Sequence, residues 1–398
     1  MTNIYAAIEL GTSNTVLAIG EAESGGPLTV IYHAEIPSTG VRKSQILDIN
    51  QTTQSIRSVL KEIEKRQEGS STLSIGNAFL AVTGQHIRTD RATGMVSVEG
   101  AKITNDEIHE ARRRSHELPL AKGRELLDIV EEDYEVDSLS GVTSPKGMSG
   151  RILKLNALHI HADSNRLQDA RTAAENAHLE IRDTVFATTA AADAVLEDYE
   201  RKNGCLMIDL GGGSTGYAVY SNGYLITTGV IGVGGDHITN DIAHAFQTTN
   251  AQAEEIKKHE ASAIVGNYTS DNARVKLSSS NTMDARTISR LALDTVVNVR
   301  MKELMTIIRE TLEDQGLLHH LHSGVILVGG GADLRNLEPL VEQELGCSVR
   351  KGRPIEVKGL EEETSPWRYA AIAGTLLYAH RNYEEKSGIG GFFGRFFK

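Results

Sequence analysis

A chain of 398 residues with 40% apolar and 24% charged side chains is long enough for more than one domain and has the balance of an ordinary soluble globular protein. A formal net charge of −12 argues against general nucleic-acid binding, because phosphate backbones attract basic surfaces. Met1 to Ala7 lack the character of a signal peptide, no run approaches the roughly 18 apolar residues of a membrane-spanning helix, and the two cysteines, Cys205 and Cys347, fit a reduced cytoplasm.

The chain opens on a predicted β-meander. Ile4 to Ile8 reads as a buried strand, Gly11 to Asn14 as a tight turn, Thr15 to Gly20 as the returning strand, and Leu28 to His33 as the third. Ser55 to Glu64 has apolar residues at helical spacing, and Phe79 to Val82 is a strand. From Gln85 to His161 the texture turns charged and turn-rich, which marks an inserted subdomain. Within it, Thr104 and Glu107 form a capping-box pattern ahead of a helix carrying Arg112-Arg113-Arg114, a triplet that reads first as a solvated helix face. Leu139 to Gly150 reads as a loop and Arg151 to Ala162 as an alternating strand.

Arg166 to His178 and the alanine-rich Val185 to Tyr199 are predicted helices. A second meander follows: Cys205 to Asp209, a glycine turn, Tyr217 to Ser221, the hairpin signal Asn222-Gly223, and Tyr224 to Gly229. Helices are expected at Ile238 to Phe246 and Ala251 to His259. Thr287 to Gln315 reads as one long helix that turns Ile288, Leu291, Val296, Val299, Leu304, Ile307, Ile308 and Leu312 inward, with Gly316 as its C-cap. The strand Val325 to Val328 runs into Gly329-Gly330-Gly331-Ala332-Asp333, then helices at Leu337 to Leu345 and Tyr369 to Tyr378.

The two meanders repeat one pattern. Ala7-Ile8-Glu9-Leu10-Gly11-Thr12-Ser13-Asn14-Thr15 and Met207-Ile208-Asp209-Leu210-Gly211-Gly212-Gly213-Ser214-Thr215 each end a strand on a carboxylate, a leucine and a glycine, then turn through small residues. Glycine lets backbone N–H groups approach an anion, and Ser/Thr hydroxyls add donors. One such turn is a plain hairpin. Two copies, with a third glycine turn at Gly329, point to two related domains clamping one nucleotide.

These hairpins and the Gly-Gly-Gly-Ala turn resemble the actin, Hsp70 and sugar-kinase ATPase superfamily. Nearly the whole chain is similar to its bacterial cell-division branch, the FtsA family, including Glu9 where most relatives have aspartate, Leu80-Ala81-Val82-Thr83-Gly84, Asp209 to Gly213, and Thr239-Asn240-Asp241-Ile242-Ala243. The resemblance implies an α/β, actin-like two-domain ATPase fold with duplicated β-meander cores and an insert in the first domain. It divides the chain into 1–84 and 162–203 (subdomain 1A), 85–161 (the insert, 1C), 204–236 and 317–360 (2A), and 237–316 (2B). Residues 361–383 would be a helix returning to 1A, and 384–398 an amphipathic membrane-targeting tail.

The implied cofactors are ATP and Mg²⁺. By the resemblance, Gly11, Thr12, Ser13 and Asn14 form the first phosphate loop and Gly211, Gly212, Gly213, Ser214 and Thr215 the second, with Gly235 beside them. Glu254 and Lys257 would contact the ribose and base; read without the family, they are an i,i+3 surface salt bridge. Gly329, Gly330 and Gly331 would lie against the adenine and ribose. Asp209, and Glu9 less directly, would hold Mg²⁺, often through water. Two departures imply slow hydrolysis: Ala187 stands where active relatives place a water-orienting glutamate or glutamine, and Gly216 where the second motif often has another aspartate. The implied partners are the C-terminal tail of the tubulin homologue FtsZ, sought at Arg286, Arg300 and Glu303, further copies in filaments, later division proteins, and an anionic membrane surface.

Gly388 to Lys398 holds four of the chain's seven phenylalanines. If helical, Phe392 stacks on Phe396 and Phe393 on Phe397, Ile389 joins them, and Arg395 and Lys398 meet headgroups. A core-docking or frayed end is the plainer reading. One short segment binds a bilayer marginally and self-association multiplies it, which favours a polymerising protein; the resemblance implies the cytoplasmic face of the membrane at the division septum as its location. Two further functions stay open: an active phosphotransferase or chaperone ATPase of the same fold, and a PilM-like pilus scaffold.

Overall fold

The computed structural model describes residues 2–23, 25–67, 75–269, 273–277 and 286–387, the last five by backbone alone. The tail residues Ile389, Phe392, Phe393, Arg395, Phe396, Phe397 and Lys398 lie outside the described residues.

The first sheet starts with the meander β1 (Thr2–Leu10), β2 (Asn14–Glu23) and β3 (Leu28–Pro37). A short hairpin, β4 (Val41–Arg42) and β5 (Gln45–Ile46), leads to α1 (Ile49–Arg66), which begins where the Asp48 carboxylate accepts from Gln51 N at 3.0 Å. β6 (Asn77–Val82) then pairs parallel with β1.

The insert has a sheet of its own. β7 (Arg88–Ser97), α2 (Asn105–His116), β8 (Arg124–Val136), β9 (Leu139–Val142) and β10 (Ile152–Asp163) give an antiparallel sheet ordered β7-β10-β8-β9. Its core is Val96, Ile103, Ala111, Leu153 and Leu155. The capping box forms: Asp106 N donates to Thr104 Oγ1 at 3.3 Å and Thr104 N to Glu107 Oε2 at 2.9 Å. Arg113 and Arg114 pair with Glu110 on the exposed face of α2, as a solvated face requires. The expected loop from Leu139 to Gly150 contains β9, and the 13-residue β8 went unread because its run of acidic residues hides the alternation.

α3 (Ser164–Asn176) and β11 (Glu180–Phe186) return to the first sheet. The single helix expected over Val185 to Tyr199 is instead the end of β11, then α4 (Ala187–Val195) and α5 (Asp198–Asn203). Val185 and Phe186 are buried strand residues. The alanines belong to a tight crossing with the last helix, where a Cβ on Gly374 would lie 1.8 Å from Ala190 O.

The second sheet repeats the first with β12 (Cys205–Leu210), β13 (Thr215–Ser221) and β14 (Tyr224–Ile231). Asn222 and Gly223 turn the hairpin at φ 54° and 89°. Then come α6 (Gly235–Phe246), α7 (Asn250–His259), the small hairpin β15 (Arg274–Lys276) and β16 (Thr287–Ser289), α8 (Arg290–Asp314), β17 (Val325–Val328), α9 (Leu337–Leu345) and β18 (Val349–Lys351). The strand order β14-β13-β12-β17-β18 matches β3-β2-β1-β6-β11. β19 (Val357–Lys358) extends the first sheet at β3, and α10 (Ala370–Ser387) packs on that sheet.

The inward stripe of α8 differs from expectation. Thr287 to Ser289 are strand, and the helix buries Leu293, Val297, Met301, Leu304, Met305, Ile308 and Leu312. Leu291 and Val299 face outward at 53% and 61% exposure, because counting the helical repeat from a strand residue shifts its phase. Gly316, at φ 68°, ends the helix while Leu317 N donates to Leu312 O. Both sheets are covered on two faces, so their central strands are continuous apolar runs. Among the described residues no helix is long and apolar enough to cross a membrane.

Candidate functional site

The repeated hairpins close with the same register: Leu10 pairs with Thr15, and Leu210 with Thr215, leaving four-residue turns at the ends of β1 and β12. The two turns meet. A Cβ on Gly212 would lie 2.0 Å from Ser13 Oγ, and one on Gly213 2.3 Å from Thr12 Oγ1, so glycine is required for the approach. Above them lies a cavity of about 1040 Å³.

Gly11, Thr12, Ser13, Asn14, Gly211, Gly212, Gly213 and Ser214 all line it. Thr215 does not: its buried hydroxyl donates to Val233 O at 2.7 Å and ties the turn to the end of β14. The first N–H groups of α6 also brace the second turn, Gly235 N to Gly211 O at 3.0 Å and Asp236 N to Gly212 O at 2.8 Å.

Gly235, Glu254 and Lys257 form one wall. Lys257 Nζ donates to Glu254 Oε2 at 2.6 Å, Thr239 Oγ1 at 2.9 Å and Gly235 O at 3.1 Å. The pair is half-buried in the cavity wall rather than a solvated surface bridge. Burial pushes the Glu254 carboxyl up, but the charge and hydrogen bond of Lys257 and the Thr239 hydroxyl outweigh it and hold it below its ordinary value. Gly329, Gly330 and Gly331 line the opposite wall. Gly329 sits at φ 81°, where a Cβ would be 2.6 Å from Asp209 Oδ1. The glycines form a 3₁₀ turn, Gly330–Asp333, and α9 follows over the expected Leu337 to Leu345.

Two half-buried carboxylates, Glu9 and Asp209, reach this cavity from opposite domains. Burial, then the charges of Asp209 and Glu35, push Glu9 up to about 8; burial pushes Asp209 up to about 6. Neither has an ion-pair partner among the described residues. Hard oxygen donors with no cationic partner beside these loops fit a divalent cation, which would bind their ionised forms and offset the cost of burying them. No cluster of three or more metal-ligating side chains occurs among the described residues.

Sequence reading missed several lining residues. Glu35 accepts from Arg368 Nη2 at 2.7 Å, from Tyr369 OH at 3.3 Å and from Asn14 Nδ2. Arg368 arrives from the far end of the chain, and no local signal marks it. The β4–β5 hairpin carries Arg42 and Ser44 into the cavity. Its turn residues, Lys43 and Ser44, lie at φ 50° and 56°, which costs non-glycine residues about 1 kcal/mol each. Such a turn normally shows itself as Asn-Gly, and Lys-Ser gives no such cue.

Ala187 is fully buried at the start of α4, so no carboxylate or amide projects from that position. A Cβ on Gly216 would lie 2.1 Å from Thr188 Oγ1, a buried hydroxyl without a hydrogen-bond partner, so a side chain at 216 is excluded.

Two of the three expected partner residues, Arg300 and Glu303, meet on α8, and Arg286 does not join them. Arg300 on α8 holds Asp241 of α6 through Nε and Nη2 at 2.6 and 3.0 Å and pairs with Glu303, so its guanidinium is engaged within the domain. Arg286 is exposed beside β16, and its carbonyl accepts from Leu277 N. No hydrogen bond among the described residues joins it to Arg300 or Glu303.

Comparison with known proteins matches residues 206–374 to the family model "Cell division protein FtsA" and residues 84–161 to "SHS2 domain inserted in FTSA". The chain is 30% identical to the cell division protein FtsA of Pseudomonas aeruginosa over 375 residues, 94% of this chain and 89% of that protein. It is 28% identical to FtsA of Bacillus subtilis, over 95% and 84% of the two chains. Among solved structures, the PilM–PilN type IV pilus biogenesis complex matches with a TM-score of 0.66 at 17% identity, covering 94% of this chain and 98% of that one. MreB5 of Spiroplasma citri bound to ADP matches at 0.57 and 13% identity, over 98% and 99%.

Proposed function

This chain belongs to the FtsA family of cell-division proteins and has the actin-like fold, and from that premise we propose that it binds ATP with Mg²⁺ between its two domains and acts as a polymerising scaffold anchoring the FtsZ ring to the cytoplasmic membrane. The observation that carries the nucleotide reading is the contact of two like hairpins, one from each sheet, beside a cavity of about 1040 Å³. MreB5 structures bound to ADP and AMPPNP support a nucleotide in a cleft of this fold.

Gly11 to Asn14 and Gly211 to Ser214 would take the phosphates, Gly235, Glu254 and Lys257 the ribose and base, and Gly329 to Gly331 the adenine. Glu9 and Asp209 would hold Mg²⁺, which supplies charge neutralisation of the phosphate oxygens. Ala187 supplies no carboxylate or amide to orient water and Thr188 packs against a bare Gly216, which supports slow hydrolysis.

The membrane role rests on the aromatic tail, Gly388 to Lys398, and the partner role on the FtsZ tail meeting the 237–316 subdomain. Arg286 is the more available of the three partner residues, since Arg300 and Glu303 hold each other. Co-sedimentation with anionic liposomes tests the tail: the full chain should pellet and a chain ending at Ser387 should not. Pelleting by the truncated chain would remove the assignment. A PilM-like scaffold is favoured only by the fold similarity at TM-score 0.66; saturable binding of an FtsZ tail peptide would separate the two.

A further inference from the structure

Arg42 lies on the β4–β5 hairpin and lines the same cavity as the two loops. The hairpin is fixed at both ends. At its base, Leu47 N and Asp48 N donate to Gly40 O at 2.8 and 3.2 Å, and Thr39 Oγ1 donates to Gln51 O at 3.1 Å, which mounts it on the first turn of α1. Gly40, at φ 79°, packs so closely that a Cβ would lie 2.4 Å from Asp48 O. At its tip, Ser44 N donates to Thr12 Oγ1 and Ser44 Oγ bonds Ser214 Oγ, both at 2.8 Å, so one residue spans both loops. A Cβ on Gly213 would lie 2.8 Å from Lys43 Cα. The hairpin therefore stands where the loops meet, and its side-chain bonds reach the loops rather than the Glu254–Lys257 and Gly329–Gly331 walls.

Charge singles out Arg42. Lys257 and Lys258 pair with Glu254, His259 with Glu255, and Arg368 with Glu35. Among the described residues Arg42 is the cationic side chain of the cavity lining with no carboxylate in ion-pair range, and it is exposed. A guanidinium offers a planar fork of N–H donors that matches phosphate oxygens. Mounted beside both loops and away from the adenosine walls, it faces the end of the cavity that a third phosphate would reach.

We infer that Arg42 sets preference for a nucleoside triphosphate over a diphosphate, through its fork on the terminal phosphate, while Ser44 links that phosphate's presence to both loops. This rests on the ATP reading above. The full chain and its Arg42→Ala and Arg42→Lys variants are titrated with Mg·ATP and with Mg·ADP by calorimetry. Arg42→Ala should weaken ATP roughly 10- to 100-fold, the worth of a charged hydrogen-bonded contact, and leave ADP within about twofold. Arg42→Lys should fall between, since it keeps the charge without the fork. Equal weakening of both nucleotides, or no weakening of ATP, overturns the inference while the ATP reading stands. A wild-type chain that binds neither nucleotide overturns both. Apo melting temperatures should not move, since the side chain is exposed.

Discussion

The two β-meanders are copies in topology and register but not in what surrounds their carboxylates. In the first, Glu9 pairs across the hairpin with Val16 and lies near Glu35; in the second, Asp209 pairs with Gly216, whose bare backbone accepts Thr188 of α4. Burial pushes the first carboxyl up to about 8 and the second to about 6; the two repel each other, and Glu35 adds a further negative charge on the Glu9 side. The duplicated strand and turn give the two proposed phosphate loops their shared geometry, and the neighbours decide how much charge each copy can hold without a cation.

The contrast is broken most severely where the copies touch. Gly213→Val drives a branched side chain into Thr12 and the Lys43 backbone, and it should abolish measurable Mg·ATP binding, a loss of at least about 100-fold; retained affinity would mean the loops separate freely. Val16 and Gly216 occupy matching positions, yet Gly216→Val should destabilise the fold by about 1–3 kcal/mol through its collision with Thr188, measured by denaturant unfolding. An unchanged midpoint would show that α4 is not held against β13.

The carboxylates themselves should differ. Asp209→Ala should weaken Mg·ATP by roughly 10- to 100-fold and Glu9→Gln by less, with the difference vanishing when Mg²⁺ is chelated. Equal effects of the two would contradict the unequal roles. The pH dependence follows from the raised values. A carboxyl with a higher value in the folded state contributes stability fully present below its unfolded value, and that stability is lost as pH rises through the folded one. For Glu9 the window runs from 4.5 to about 8. Apo stability should therefore fall across it, by on the order of 3 kcal/mol, and Glu9→Gln should flatten the fall; a wild-type profile as flat as the variant's would refute the assignment. The smallest effect is at Thr188, whose hydroxyl is buried without a partner. Thr188→Val should be neutral or stabilising by up to about 1 kcal/mol, whereas a clear loss by thermal melting would reveal a bond to water there.

The repeated hairpins, the Gly329 turn, the insert and most helices were legible because their signals are local: glycine next to a carboxylate, a capping box, an Asn-Gly turn, a 3.6-residue repeat. What escaped was set by distant parts of the chain. Glu35 and Arg368 find each other across the sequence, Thr215 turns away from the cavity because the Val233 carbonyl accepts its hydrogen bond, and Arg300 is held by Asp241 of another helix. The β4–β5 hairpin escaped for a different reason. Lys43 and Ser44 adopt left-handed backbone against their preference, held there by Thr12 and Ser214, so tertiary contacts override the local code. The phase error on α8 came from reading Thr287 to Ser289 as helix when they pair with β15.

The proposed role of the cleft is to keep ATP rather than to split it. The direct measurement mixes the full chain with one equivalent of Mg·ATP and follows the protein-bound nucleotide by ion-exchange chromatography. One nucleotide per chain, still ATP after minutes, is the predicted result. Absence of retained nucleotide, or its conversion to ADP at about 1 s⁻¹ or faster as in an active enzyme, would contradict it.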